Sequence, residues 1–133
     1  ADDDEAMRRL AWMLLEGEFV EADPDSARDL FRRAALLGNE RAVPDLADLY
    51  RRILPKDPGA LEQGDRAEAC VWFRLALEQG DSSFLEDFDR VVRRLDHVER
   101  ERFEDRLREV RPLLKSGLRD PDLDPIPYLD TVR

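Results

Sequence analysis

At 133 residues the chain has the length of one domain, enough for folding to remove about two-thirds of the unfolded surface from water. A formal charge of −10, from 32 acidic and 22 basic residues, argues against nucleic acid and anionic membrane surfaces as partners and for a basic or mixed-charge protein. No apolar run approaches the roughly 20 residues of a membrane span, and a single cysteine, Cys70, excludes an internal disulfide and a cysteine-based zinc site.

The acidic start, Ala1-Asp2-Asp3-Asp4-Glu5, lacks the basic-then-apolar pattern of a secretory signal and has no initiator Met. The chain therefore reads as a processed product or an excised piece. The cytoplasm is favoured, and a periplasmic or secreted location follows if a signal has been removed. Only Lys56 and Lys115 are lysines among the basic residues, a preference for Arg that suits a GC-rich bacterial genome.

A first helix is predicted over Asp4–Glu16, with Met7, Leu10, Ala11 and Leu14 on one apolar face and Gly17 at its end. Asp23 is placed to cap a second helix and Pro24 suits its first position; Gly38 stops it after Leu37. A third helix is expected to start near Pro44, after a loose turn from Asn39. The stretch Leu54–Ala60 holds two Pro and one Gly and forbids regular helix. Asp65 and Glu68 have the spacing of a capping box for a fourth helix, Arg66–Gln79, which carries Ala69, Trp72, Phe73 and Ala76 inward and stops at Gly80.

A fifth helix is read over Phe84–Leu95, with Phe84, Phe88, Val91, Val92 and Leu95 as its apolar side. Asp96 and Glu99 form another capping box, and a long sixth helix follows to Ser116, closed by Gly117. Its apolar stripe, Val98, Phe103, Leu107, Val110 and Leu113, is narrow, as expected of a terminal helix that covers the end of a stack. The Glu–Arg alternation from Glu99 to Arg111 reads as a solvated face with i,i+4 pairs. From Leu118 to Arg133 the prolines Pro121, Pro125 and Pro127 predict an extended acidic tail, with Ile126, Tyr128, Leu129 and Val132 able to lie along the domain.

These helices repeat in pairs. Ala6, Leu10, Ala11 and Leu14 stand 36 residues ahead of Ala42, Leu46, Ala47 and Tyr50, while Ala27, Phe31, Ala34 and Gly38 stand 42 ahead of Ala69, Phe73, Ala76 and Gly80. The six-residue difference is an insertion in the inner loop of the second unit. The positions that recur (an Ala, a Leu before a small residue, an aromatic, an Asp, then Ala, an aromatic pair, two Ala and a Gly) resemble Sel1-like repeats of the tetratricopeptide type. The first unit departs from that pattern at Leu14, Ala11 and Leu30. The second restores Tyr50 and Trp72-Phe73 but has Leu77 in place of one Ala. The resemblance covers about Ala6 to Phe84. It implies an all-α fold: a right-handed α-solenoid of stacked helix-turn-helix repeats, with about six helices and an extended, Pro-containing C-terminal tail. The units are about 6–41 and 42–83, with a diverged cap at 84–117, so that 1–117 is the solenoid and 118–133 the tail. The resemblance implies an adaptor or scaffold role and does not identify the partner.

In such a stack the first helices of the pairs line the concave side, a common docking surface. Opposite the apolar stripe, that side presents Arg8, Arg9, Trp12 and Glu16, then Asp45, Asp48, Arg51 and Arg52, then Glu86, Asp87, Arg90, Arg93 and Arg94. Arg and Trp are favoured at binding hot spots, and an indole on a polar face asks for a reason, so Trp12 is the sharpest candidate. The alternatives are a merely solvated, salt-bridged face and an N-terminus or tail folded over Trp12.

Candidates for catalysis are few. His97 is the only histidine and follows a cap residue, where the positive helix end disfavours imidazolium. Cys70 sits among core residues and reads as a small hydrophobe. Ser26, Ser82, Ser83 and Ser116 lack a strand-turn-helix elbow to present them. Asp120, Asp122 and Asp124 alternate like a calcium loop, but Pro125 and Thr131 stand where that loop needs Gly and Glu. No enzyme activity, cofactor or metal is expected. The leading function is a protein–protein interaction module, an adaptor or regulatory scaffold, that binds on the concave face. The alternative is an immunity- or antitoxin-type inhibitor whose acidic surface masks a basic toxin.

Overall fold

A computed structural model describes residues 2–53 and 63–118, and among these every regular element is helical. The helices are α1 (Asp2–Glu16), α2 (Pro24–Leu36), α3 (Ala42–Ile53), α4 (Gln63–Glu78), α5 (Leu85–Val92) and α6 (His97–Leu118), with a 3-10 turn, Ser82–Phe84, leading into α5. Consecutive helices pack against one another from α1 to α5, and α6 lies on α4 and reaches α2. The result is a stack of helical hairpins, as expected from the repeat. The expected insertion loop at 54–60 and the tail beyond Leu118 lie outside the described residues.

Local chemistry explains most helix ends. The Asp23 carboxylate accepts from the Ser26 backbone N–H at 3.2 Å and from its hydroxyl at 2.7 Å, and Pro24 opens α2. The two units stop in the same way. The Asn39 N–H donates to the Ala34 carbonyl at 3.0 Å and the Asp81 N–H to the Ala76 carbonyl at 3.1 Å, each reaching back over a glycine at positive φ, Gly38 (105°) or Gly80 (97°). Only a residue without a side chain takes that backbone without strain, so the glycine that ends each unit is required by its turn. The Asp96–Glu99 box is reciprocal, with the Glu99 N–H donating to Asp96 Oδ1 at 2.8 Å and the Asp96 N–H to Glu99 Oε1 at 3.0 Å.

Other expected ends move. Helix α3 begins at Ala42, two residues before Pro44, because Asn39 Oδ1 accepts from the N–H groups of Arg41 (3.0 Å) and Ala42 (3.3 Å), and Pro44 sits in the first turn, where a helix needs no N–H. Helix α4 begins at Gln63, so Asp65 lies inside it and the expected Asp65–Glu68 capping box does not start it. Glu68 instead accepts from Trp72 Nε1 at 3.1 Å and from Arg106 on α6. Gly117 does not close α6, which continues to Leu118.

The core forms where the repeat predicts it. Ala27, Phe31 and Ala34 of α2 and their counterparts Ala69, Phe73 and Ala76 of α4 are all fully buried, the alanines letting helices approach while the rings fill the gap. Phe73 stacks on Phe84 with centroids 5.9 Å apart, and Phe88 meets Phe103 at 5.9 Å, joining α4, α5 and α6. Three apolar assignments are overturned. Leu10 on α1, and Val98 and Leu113 on α6, are exposed. The inward stripe of α6 is Phe103, Leu107, Val110 and Leu114, rotated from the expected one. Its extension by spacings of four reaches Glu99 and Arg111, both buried. The Glu99–Arg111 alternation is therefore not simply a solvated face.

Candidate functional site

The face shared by α1, α3 and α5 carries the side chains singled out in the sequence, and most of them meet. Arg8 on α1 pairs with Asp45 on α3 and with Glu5 at 3.1 Å. Arg52 on α3 reaches back to Glu16 on α1 at 3.2 Å and along its own helix to Asp48 at 3.0 Å. Arg51 reaches forward to Asp87 on α5 at 3.0 Å and donates to the Ser83 carbonyl at 3.2 Å. Arg90 stands 3.6 Å from the same Asp87. The partners on different helices are 36 or 37 residues apart, so the repeat itself brings each arginine opposite a carboxylate of the neighbouring unit.

Trp12 sits at the centre of this network. Its ring meets Phe31 edge-on, with centroids 5.4 Å apart and planes at 76°, and the Arg52 guanidinium lies 5.3 Å from its centroid. One edge of the indole therefore seals the core while another borders the charged surface, which gives this aromatic a structural reason to be half-buried. Burial raises the Asp45 carboxyl above its ordinary range, even though hydrogen bonds from Arg8 and Trp12 oppose the shift. Glu5 goes the other way, lowered chiefly by the hydrogen bond it accepts from Asn39 Nδ2 at 3.0 Å. Arg9 and Arg94 lie at the margins of the face, both exposed, with Arg9 3.4 Å from Glu5. Arg94 borders a shallow depression on α5 with Glu86, Asp87 and Arg93.

A second set of ion pairs joins α4 to α6, and sequence reasoning missed it. Arg66 forks onto Glu99 at 2.7 and 2.9 Å, Arg106 reaches Glu68 at 3.1 Å, and Arg111 grips Glu78 with two nitrogens. The signal was present: Glu99 and Arg111 stand on the same helical stripe as Phe103 and Leu107, so burying those rings and methyls carries the charges inward with them.

The remaining reactive groups are arranged as structural residues. Cys70 is fully buried, and burial pushes its thiol up to about 12, far from a thiolate at neutral pH. His97 is exposed at the start of α6, its Nε2 3.4 Å from Glu101. Among the described residues no group of three His, Cys, Asp or Glu side chains is placed to hold a metal ion, and no helix is long and apolar enough to cross a membrane.

The Sel1 repeat family model matches residues 4–39 and 56–81. The first match spans α1 and α2; the second opens in the insertion and takes in α4, leaving α3 between them. No curated protein and no solved structure matches the chain. Family matches in both units, with the same buried alanines, rings and glycine stops in each, show that the chain carries Sel1-like repeats, which generally mediate protein–protein interaction.

Proposed function

We propose that this chain is an adaptor or regulatory scaffold that holds a basic or mixed-charge partner protein on the face of α1, α3 and α5. The observation that carries the reading is the ordered ion network around Trp12. Arg8, Asp45, Asp48, Arg52 and Glu16 fix one another's rotamers, so the indole edge and the charged rim are organised before a partner arrives, which lowers the entropic cost of docking. Arg9, Arg90 and Arg94 extend the same face outward. An overall charge of −10 adds long-range attraction for a basic partner. The same charge favours, as a second reading, an inhibitor of a basic bacterial toxin, recognisable by tight 1:1 binding that weakens with salt.

The test is affinity capture with the wild type beside Trp12→Ala/Arg52→Ala, each checked for helix content by circular dichroism. A partner retained by the wild type and lost by a folded double variant supports docking on this face. Equal capture by both moves the site elsewhere, and a captured toxin selects the inhibitor.

A further inference from the structure

The turn between α1 and α2 displays an aromatic ring that the fold does not use. Phe19 is 88% exposed, and its φ of 66° is the only positive value at a non-glycine residue among the described residues. In that left-handed region Cβ crowds the backbone carbonyl, so a bulky residue is strained where glycine is not. Other exposed apolar side chains carry no such cost: Leu37 (φ −85°) and Leu85 (φ −61°) sit on ordinary right-handed backbone. Single exposed hydrophobics are common on folded proteins. A phenylalanine both strained and exposed is unfavourable twice over for folding, and strain of this kind points to function.

The turn holds the ring in place. At one end the Gly17 and Glu18 N–H groups donate to the Met13 carbonyl at 2.9 and 3.1 Å; at the other the Asp23 N–H donates to the Leu14 carbonyl at 2.8 Å. Asp23 then caps α2 through Ser26. Val20, 40% exposed, widens the apolar tip. Around it the charge has one sign. Residues 16–25 include Glu16, Glu18, Glu21, Asp23 and Asp25, all exposed, and no Lys or Arg.

We infer that Phe19 and Val20 form an anchor for a partner protein whose apolar pocket is rimmed by Lys or Arg. Aromatic side chains are enriched at such contacts, and a turn fixed in advance lowers the cost of binding. Charge complementarity selects this occupant. The stretches 54–62 and 119–133, outside the described residues, are not basic: the first has Lys56 against Asp57 and Glu62, the second Arg119 and Arg133 against four aspartates. A second copy of the chain brings a formal charge of −10. Any segment preceding Ala1 would join the 15-residue α1 at its far end, roughly 22 Å from the turn. The anchor does not rest on the α1–α3–α5 face, since Phe19, Val20, Glu18 and Glu21 take no part in its ion network.

Two measurements on the full chain test the assignment. Thermal melting of Phe19→Gly should give a midpoint equal to or above that of the wild type; a clear loss would mean that the ring serves the fold, and overturns the proposal. Photocrosslinking then identifies what the ring meets. Benzoylphenylalanine replaces Phe19, or Leu37 as a control, in cells of the source organism. An adduct with another protein at position 19 and not at 37 is expected. That protein, purified, should bind the wild type at least tenfold more tightly than Phe19→Ala. Glu18→Gln/Glu21→Gln should weaken binding at low salt and lessen its dependence on salt. The proposal is overturned by an adduct within the chain or with a second copy, by equal adducts at 19 and 37, or by none. Equal affinity of the wild type and Phe19→Ala, or binding indifferent to the two glutamates, overturns it as well.

Discussion

The two sets of arginine–carboxylate pairs use the same chemistry across the same kind of helix spacing, yet they sit in different solvents. On the α1–α3–α5 face, Arg52 and Glu16 keep about half of their side-chain surface in water (48% and 51%). Between α4 and α6, Arg111 and Glu78 keep 2% and 6%. In water, attraction between charges is offset by lost solvation and side-chain entropy, so the exposed pairs contribute little to folding and remain available to a partner. In the buried set a lost partner is not replaced by water, although Glu78 keeps a second arginine, Arg74, at 3.4 Å. The buried set thus fixes how the terminal helix docks, and the exposed set organises a surface.

Breaking the buried side should give the largest effect. Arg111→Ala takes from the nearly buried Glu78 its bidentate guanidinium, leaving it the longer contact with Arg74 at 3.4 Å, and should cost about 3 kcal/mol, read from chemical denaturation. The paired replacement Glu78→Leu/Arg111→Met should recover most of that loss, since a well-packed apolar pair removes both desolvation penalties. If the single and the paired variants were equally unstable, the interaction would be one of shape rather than charge. The exposed side should respond far less. Arg52→Ala, which loses Glu16, Asp48 and the contact with Trp12, should cost no more than about 1 kcal/mol. A much larger loss would mean that Trp12 depends on Arg52 to stay seated against Phe31.

The smallest effect sharpens the comparison at its boundary, where Asp45, like Arg8 and Asp87, is partly buried within the surface network. Its folded pKa is raised above the ordinary 3.8 by burial, so the folded state binds the proton more tightly than the unfolded one. Its contribution to stability is therefore present below pH 3.8 and lost as pH rises through the raised value. Asp45→Asn should remove that decline, making the variant's stability less dependent on pH across this window. Glu5, with its pKa lowered from 4.5, works in the opposite sense, its contribution present above 4.5 and lost as the medium acidifies. Comparing Glu5→Gln with Asp45→Asn in one pH series should give slopes of opposite sign.

Much of the fold was legible because it rests on local rules. Asp23 with Pro24, the Asp96–Glu99 box and the stops at Gly38 and Gly80 are satisfied within a few residues of chain, and each appears where spacing places it. The apolar stripes were legible only as far as one helix's periodicity reaches. Val98 and Leu113 fit the period of α6 as well as Leu114 does, but the helix rotates to put Phe103 and Leu107 against α4 and α5, and that turns Val98 and Leu113 outward. The Asp65–Glu68 spacing was a good cap signal overridden by tertiary structure, since Trp72 and Arg106 claim the Glu68 carboxylate. On the candidate face, the placement of Arg8, Glu16, Asp45 and Arg52 on neighbouring first helices was legible from the repeat. Their mutual pairing was not, because periodicity places a side chain on a face without saying which neighbour its charge will find.

The sequence by itself determined the helical hairpins, their register of 36 and 42 residues and the buried alanines and rings that recur in both units. Those features follow from hydrogen bonds and steric limits within a hairpin. Only the tertiary structure decided which charges became buried and which equivalent residues stayed exposed. Leu10 and Leu46 occupy the same place in the same pattern, and one is 43% exposed while the other is sealed. Burial belongs to the neighbouring helix as much as to the residue.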